Sequence, residues 1–385
     1  MSGPEFSPRP HGIGRGAALT LLFGVVLATA AVTNCLPHEE HTSPRPLSAR
    51  AAAATVDRED VARAAAEAAA EGKSGTKAAE EVVSRSGDRW GAVYDKQEYE
   101  EFRKALDGEY TGVGLGARRA GDGRVEVAKV QPGSPAARAG IRAGDRLLTI
   151  DGQKVDGRPV TEVVTLLRGS SGTGVTLGLE RDGRRWAETV TRAVLTTETV
   201  TVERLPHGAV LIRVTSFTKG SGKRVRDAVR EAPAGAGVLL DLRGNEGGLV
   251  SEAVTAASAF LDGGLVATYD VRGEQLALYA ERGGDTDRPV VTLVDAGTMS
   301  AAEIVTGALK DRGRAVTVGT RTFGKGSVQM PSRLPDGSVA ELTVGHYRTP
   351  SGHSVDNKGI TPDLVTGEGA EKRAQTVLSG LGGTS

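Results

Sequence analysis

Ser300 and Lys325 are the two residues whose types and settings could do covalent chemistry in this sequence. Ser300 follows a strand-like run, Pro289 to Val294, and a turn, Asp295 to Met299, and it opens a helix-forming run from Ala301 to about Asp311 that Gly313 ends. Orphan N–H groups and the positive end of a helix dipole would stabilise negative charge on a carbonyl oxygen attached to Ser300, with the Ala301 N–H as the natural donor. Taken alone, the same serine reads as a simple N-cap. A second strand-turn-helix unit precedes it: an apolar strand from Gly237 to Leu242, the turn Gly244-Asn245-Glu246-Gly247-Gly248, and a helix over Leu249 to Leu261. Gly247 and Gly248 carry no side chain that would keep a substrate carbonyl away, so Gly247, Gly248 and Ala301 are the expected oxyanion hole.

Lys325 lies in Phe323-Gly324-Lys325-Gly326, after a further strand from Ala315 to Gly319. An amine works as a general base only when neutral, and an ordinary lysine at about 10.4 is charged at neutral pH, so burial must lower it. Phe323, Val328 and the flanking glycines are the expected apolar surroundings, and Gln329 is expected to hydrogen-bond Lys325 and fix its direction. Without Ser300 and the glycine turns, Lys325 reads as a surface charge. The competing base is His346 or His353 with Asp356 as orienter, but His346 falls in an alternating strand, Val339 to Tyr347, and His353 follows the turn Pro350-Ser351-Gly352.

With these motifs in order, the sequence resembles the C-terminal processing (tail-specific) peptidases. The serine run is matched by Ser300-Ala301-Ala302-Glu303-Ile304, the lysine loop by Phe323 to Gly326, and the auxiliary glutamine by Gln329. Asp241-Leu242-Arg243, the Gly247-Gly248 pair and the stretch Tyr94 to Tyr110 also match, so the resemblance runs from Asp88 to Asp363. It implies an exported serine endopeptidase that hydrolyses protein substrates with a Ser/Lys dyad and no cofactor. The implied fold class is α/β: a strand-turn-helix (crotonase-like) peptidase core over 196–366, a PDZ domain inserted at 110–195, an N-terminal helical region at 51–109 and a tail at 367–385. Met299, Ala302 and Glu246 depart from the family's usual residues, and none removes the nucleophile, the base or a backbone donor.

The elements that would bring a substrate to Ser300 precede the core. A strand over Arg124 to Val130, a short helix opened by Ser134 and Pro135 and ended by Gly140, a strand over Arg146 to Ile150, a turn at Asp151-Gly152 and a helix carrying Val160, Val163, Val164 and Leu167 follow one another. This order, with the run from Gly133 to Gly152, resembles a PDZ domain. Just ahead of it, Gly112, Val113, Gly114 and Leu115 form a backbone turn suited to hold a peptide's terminal carboxylate while the peptide adds as an edge strand. The expected partners are protein or peptide substrates with apolar C-terminal tails.

Bulk properties narrow the classes further. At 385 residues the chain exceeds one ordinary core of roughly 100 to 200 residues. Lys+Arg and Asp+Glu are balanced at 48 each with no basic run, which excludes nucleic acid as an expected partner. Cys35 is the lone cysteine, so neither an intramolecular disulfide nor a thiolate cluster can form, and the six histidines show no metal-ligand spacing. Arg9 and Arg15 before the apolar stretch Ala17 to Val32 read as an export signal over residues 1–35, cleaved or retained as a membrane anchor. Lipidation of Cys35 is a third reading, opposed by Asn34 where a small residue is wanted. Residues 36–50 read as a proline-bearing linker, and Ala51 to Glu71 as a helix without chemistry of its own. Membrane anchoring and assembly into homo-oligomers stay open. An HtrA-like peptidase is excluded by domain order and by the lack of its GNSGG run, and acyl-CoA chemistry by the lack of a nucleotide cradle. A non-catalytic extracytoplasmic PDZ scaffold is the alternative function.

Overall fold

The computed structural model describes residues 57–205, 208–271 and 274–382. The expected signal or anchor at 1–35 with Cys35, the linker at 36–50 and the first residues of the expected N-terminal helix lie outside the described residues. No helix among the described residues is long and apolar enough to cross a membrane.

The chain forms two compact units, one over Glu109–Thr196 and the other from the residues before and after it. In the larger unit a six-stranded sheet runs in the order Val200–Arg204, Val210–Val214, Val238–Asp241, Val290–Val294, Val316–Gly319, Leu364–Val365. The first pair is antiparallel and the rest are parallel. Buried parallel strands read as continuous apolar runs because both faces are covered. Here alternate residues of one strand serve both: Val238 and Leu240 join the core beneath the helices Ser221–Glu231, Val250–Ala257 and Ala301–Asp311, while Leu239 faces the core closed by the helix Ala370–Gly382. The helix after Gly248 is shorter than the expected Leu249 to Leu261. It stops at Ala257 because the Ser258 hydroxyl donates to the Val254 carbonyl and accepts the Glu281 N–H, diverting the chain into a turn.

A second sheet of this unit is built around the long strand Val339–Arg348, which pairs with Ala92–Tyr94, Ser327–Arg333 and Leu265–Val271. The helices Arg58–Ala70 and Gly75–Arg85 bury Val61, Ala65, Ala79 and Val83 against Leu334, Ala340 and Leu342 of this region. The N-terminal helical region thereby shares a core with the long strand that pairs with Ser327–Arg333, the strand that carries Gln329 and follows the Lys325 loop, and it delivers Asp88 and Trp90 to their neighbourhood.

In the smaller unit the sheet order is Leu115–Arg119, Val125–Val130, Arg146–Ile150, Gly174–Arg181, Arg184–Thr191. The short helix Pro135–Arg138 is capped by the Ser134 hydroxyl, which accepts the Ala137 N–H at 3.2 Å, and the longer helix is Val160–Leu167. Val163 and Leu167 point into a core with Val113, Leu147, Ile150, Leu177 and Leu179, as their spacing predicts. Leu115–Arg119 is an edge strand, and Val160–Leu167 packs beside it.

Candidate active site

Ser300 has φ +54° and ψ −120°, a conformation that non-glycine residues rarely adopt and that costs about 1–3 kcal/mol. The burial of Ala301 through Leu309 offsets that strain, since full burial of Ile304 and Leu309 alone contributes roughly 1.5–3 kcal/mol each. The Ser300 backbone is held at both polar atoms: its N–H donates to Glu303 Oε2 at 2.9 Å, and its carbonyl accepts from the fully buried Tyr347 hydroxyl at 3.1 Å.

The two expected turns are knitted together. Met299 N–H donates to the Asn245 carbonyl, Gly244 N–H to Asp295 Oδ1, and the buried Thr298 hydroxyl to the Leu242 carbonyl. Gly247, at φ +97°, lies so close to the serine that an added Cβ would stand 2.9 Å from Ser300 Cβ and 3.1 Å from Ala301 N. Gly248, at φ +129°, is pressed on Phe217, whose carbonyl would be 2.4 Å from an added Cβ. One expectation is corrected here: the Gly247 N–H is spent on Asn245 Oδ1 at 2.8 Å inside the buried turn, so Gly247 supplies space and not a donor. The N–H groups of Gly248 and Ala301 have no acceptor among the described residues.

Lys325 is half-buried with its ammonium 4.7 Å from the centre of the Trp90 ring, and Phe323 meets the same ring edge-on at 5.9 Å. Burial pushes the amine below its ordinary range, and the charges of Asp88, Glu341 and Glu246 pull it back up. The expected wholly apolar surroundings are therefore corrected to an aromatic face flanked by three carboxylates. Glu341 itself is pushed up to about 7, chiefly by burial, with Lys325 opposing. Glu246 is also raised by burial and pulled down by Lys325. No hydrogen bond joins Ser300 Oγ and Lys325 Nζ.

Gln329 is likewise corrected. It sits opposite Thr343 in the register, after an irregularity at Val328, and its amide donates to Ser327 Oγ at 2.8 Å and Thr343 Oγ1 at 3.2 Å, not to Lys325. Thr343 Oγ1 in turn donates to Asp88 Oδ1 at 2.7 Å, so Gln329 reaches Lys325 only through the acid beside it. The competing histidines have other partners: His346 Nε2 lies 3.8 Å from Asp356 Oδ2, and His353 Nε2 lies 3.2 Å from the Gly359 carbonyl. No cluster of potential metal ligands occurs among the described residues.

In the smaller unit, Gly114 is at φ +81° and an added Cβ would fall 2.2 Å from Ser134 Cβ, so glycine is required. Val113 is buried, Leu115 opens the edge strand, and Gly112 pairs with Ala193. The N–H groups of Val113 and Gly114 have no acceptor among the described residues.

Sequence reasoning missed Trp90, Asp88, Glu341, Asn245 and Tyr347. Glu303 was legible only as part of a motif. The spacing of a glutamate three residues after a helix-opening serine was the one available local signal.

Comparison with known proteins places these turns in a family. A sequence model of Peptidase family S41 matches residues 209–366, and a PDZ domain model matches residues 126–181. The carboxy-terminal processing protease CtpA of Bacillus subtilis is 33% identical over 288 residues, covering 74% of this chain and 62% of the relative. Carboxyl-terminal-processing peptidase 3, chloroplastic, of Arabidopsis thaliana is 35% identical over 303 residues, covering 74% and 58%. This chain thus spans about three-fifths of the length of the curated relatives it matches. The solved photosystem II D1 C-terminal processing protease is 31% identical with a TM-score of 0.50, covering 76% of this chain and 82% of that one.

Proposed function

Because this chain belongs to the carboxy-terminal processing peptidases of peptidase family S41 and carries their PDZ domain, we propose that it is a serine endopeptidase acting through a Ser300 and Lys325 dyad on protein chains recognised by their C-terminal tails. The observation that carries this reading is the serine's setting. Ser300 stands at a helix head against Gly247, beside two backbone donors, Ala301 and Gly248, that have no acceptor among the described residues.

In this reading Ser300 Oγ attacks the scissile carbonyl while its proton passes to neutral Lys325 Nζ. The oxyanion accepts from the Ala301 and Gly248 N–H groups. Collapse expels the amine, which takes the proton from Lys325 and leaves an acyl ester on Ser300. Water then attacks the ester with Lys325 again as base, releasing the acid and restoring the serine. The lowered proton affinity of Lys325 favours the neutral amine that the first step needs.

A tail adding to the edge strand Leu115–Arg119 beside the helix Val160–Leu167 would place its carboxylate at the free Val113 and Gly114 N–H groups, with Gly112 and Leu115 flanking them. Export is part of the reading on sequence alone, from Arg9, Arg15 and the run Ala17 to Val32.

The test is incubation of wild-type and Ser300→Ala protein with an unfolded protein such as casein, read by mass spectrometry of fragments. Cleavage by the wild type alone is expected, with folding intact because loss of a cap costs only about 0.5–2 kcal/mol. Equal cleavage by both proteins would remove Ser300 as nucleophile, and an inert wild type would leave the non-catalytic scaffold.

A further inference from the structure

Glu303 is fully buried, lies in the first turn of the Ser300 helix, and has no part in the chemistry described above. Its Oε1 accepts from the Thr322 hydroxyl at 2.5 Å and the Gly324 N–H at 2.8 Å. Its Oε2 accepts from the N–H groups of Ser300 and Lys325, each at 2.9 Å. An ionised carboxylate offers about four lone-pair sites, and here each receives a donor; a protonated acid or an amide would meet one of these donors with a hydrogen of its own. The Thr322 hydroxyl cannot reverse its role cheaply, because its oxygen already accepts the Ile360 N–H at 2.7 Å.

We propose that Glu303 is a positioning residue whose buried, ionised carboxylate locks the Ser300 backbone and the Lys325 loop into a single arrangement, so that dyad geometry depends on its charge. The inference rests on the reading of Ser300 and Lys325 as nucleophile and base. Two features separate this role from ordinary packing. The bonds converge on the backbone of the two residues whose mutual placement decides proton transfer, and they tie the head of the Ser300 helix to the Lys325 loop, beside the bond from the Phe323 N–H to the Thr298 carbonyl at 3.0 Å. The helix N-terminus and the four donors favour the anion, against a burial that raises the carboxyl above its ordinary range. Tyr347, from the strand Val339–Arg348, is a titratable group that faces it.

The experiment compares wild type, Ser300→Ala, Glu303→Gln, Thr322→Val and Thr322→Ser for thermal unfolding, kcat and KM on a peptide, the pH profile of kcat, and the rate of labelling by a fluorophosphonate. In Glu303→Gln, labelling and kcat should fall roughly a hundredfold with KM within about twofold, the signature of misplaced groups and not of lost binding. Thr322→Val removes one donor to the carboxylate and should lower labelling and kcat with KM little changed, and Thr322→Ser should restore both. A folded Glu303→Gln with wild-type kcat and pH profile, beside an inert Ser300→Ala, overturns the clamp and leaves the dyad standing. Should Glu303→Gln fail to fold, the threonine pair decides, and wild-type labelling and kcat in a folded Thr322→Val overturn the clamp. Cleavage by Ser300→Ala removes the dyad, and the clamp with it.

Discussion

Ser300 and Lys325, 25 positions apart by their numbers, donate their backbone N–H groups to the same oxygen of Glu303, each at 2.9 Å, although no hydrogen bond joins their side chains. One carboxylate thus holds the backbone of both candidate residues while the lysine side chain rests on Trp90.

Lys325→Arg is expected to be as inactive as Lys325→Ala. A guanidinium stays protonated and cannot take the serine proton, although it could still stack on Trp90. Steady-state cleavage of a peptide checks this; retained activity in the arginine variant would point to another base, His346 or His353 first.

Glu341→Gln should shift the ascending limb of kcat/KM to lower pH. Glu341 is one of three carboxylates that hold Lys325 in its charged form, so its removal lets burial lower the amine further. The same variant carries a stability signature. Because folding raises Glu341 to about 7, its contribution is present below its ordinary value and lost as pH rises through about 7. Thermal unfolding should therefore find Glu341→Gln gaining on the wild type above pH 7 and not at pH 4. A limb that stays in place would show that Glu341 does not act on the base.

Gly247→Ala should abolish cleavage. The new methyl would stand 2.9 Å from Ser300 Cβ and 3.0 Å from the Met299 carbonyl, at a φ of +97° that costs alanine about 1–3 kcal/mol. The expected pattern is a loss of kcat of roughly a hundredfold or more with modest destabilisation, since the displaced groups are the nucleophile and its neighbour. Unfolding curves beside kinetics separate the two effects, and a stable, fully active variant would contradict the placement of Gly247.

Substrates ending in a free carboxylate should be bound and cut better than the same sequences ending in an amide. Charge-assisted hydrogen bonds from Val113 and Gly114 are stronger than neutral ones, and the amide forfeits them. Binding by the isolated tail peptide and cleavage of the full substrate are both informative. Equal results for acid and amide would remove the carboxylate clamp while leaving Ser300 untouched.

The smaller unit was legible in detail because its signals are local. Ser134 and Pro135 start a helix, Asp151-Gly152 turns at φ +47° and +77°, and Val163 and Leu167 share a buried face within a single turn of helix. The two strand-turn-helix units of the core were legible for the same reason. A continuous apolar strand such as Val238 to Leu240 announces two covered faces, and a glycine turn before a helix announces free N–H groups.

What the sequence determined by itself is therefore the candidate nucleophile's place at a helix head, the glycines that make room beside it, the identity of the candidate base and the order of the elements that carry them. What only the tertiary structure decided is the environment of that base and the use of each donor. Thr343 meets Asp88 across 255 positions, Lys325 rests on Trp90 from the N-terminal region, Gln329 turns to its cross-strand neighbour, and Gly247 gives its N–H to Asn245. The reason is physical: a hydrogen bond or a buried charge is satisfied by whichever partner packing brings within about 3 Å, and no periodicity along the chain encodes which distant strand that is.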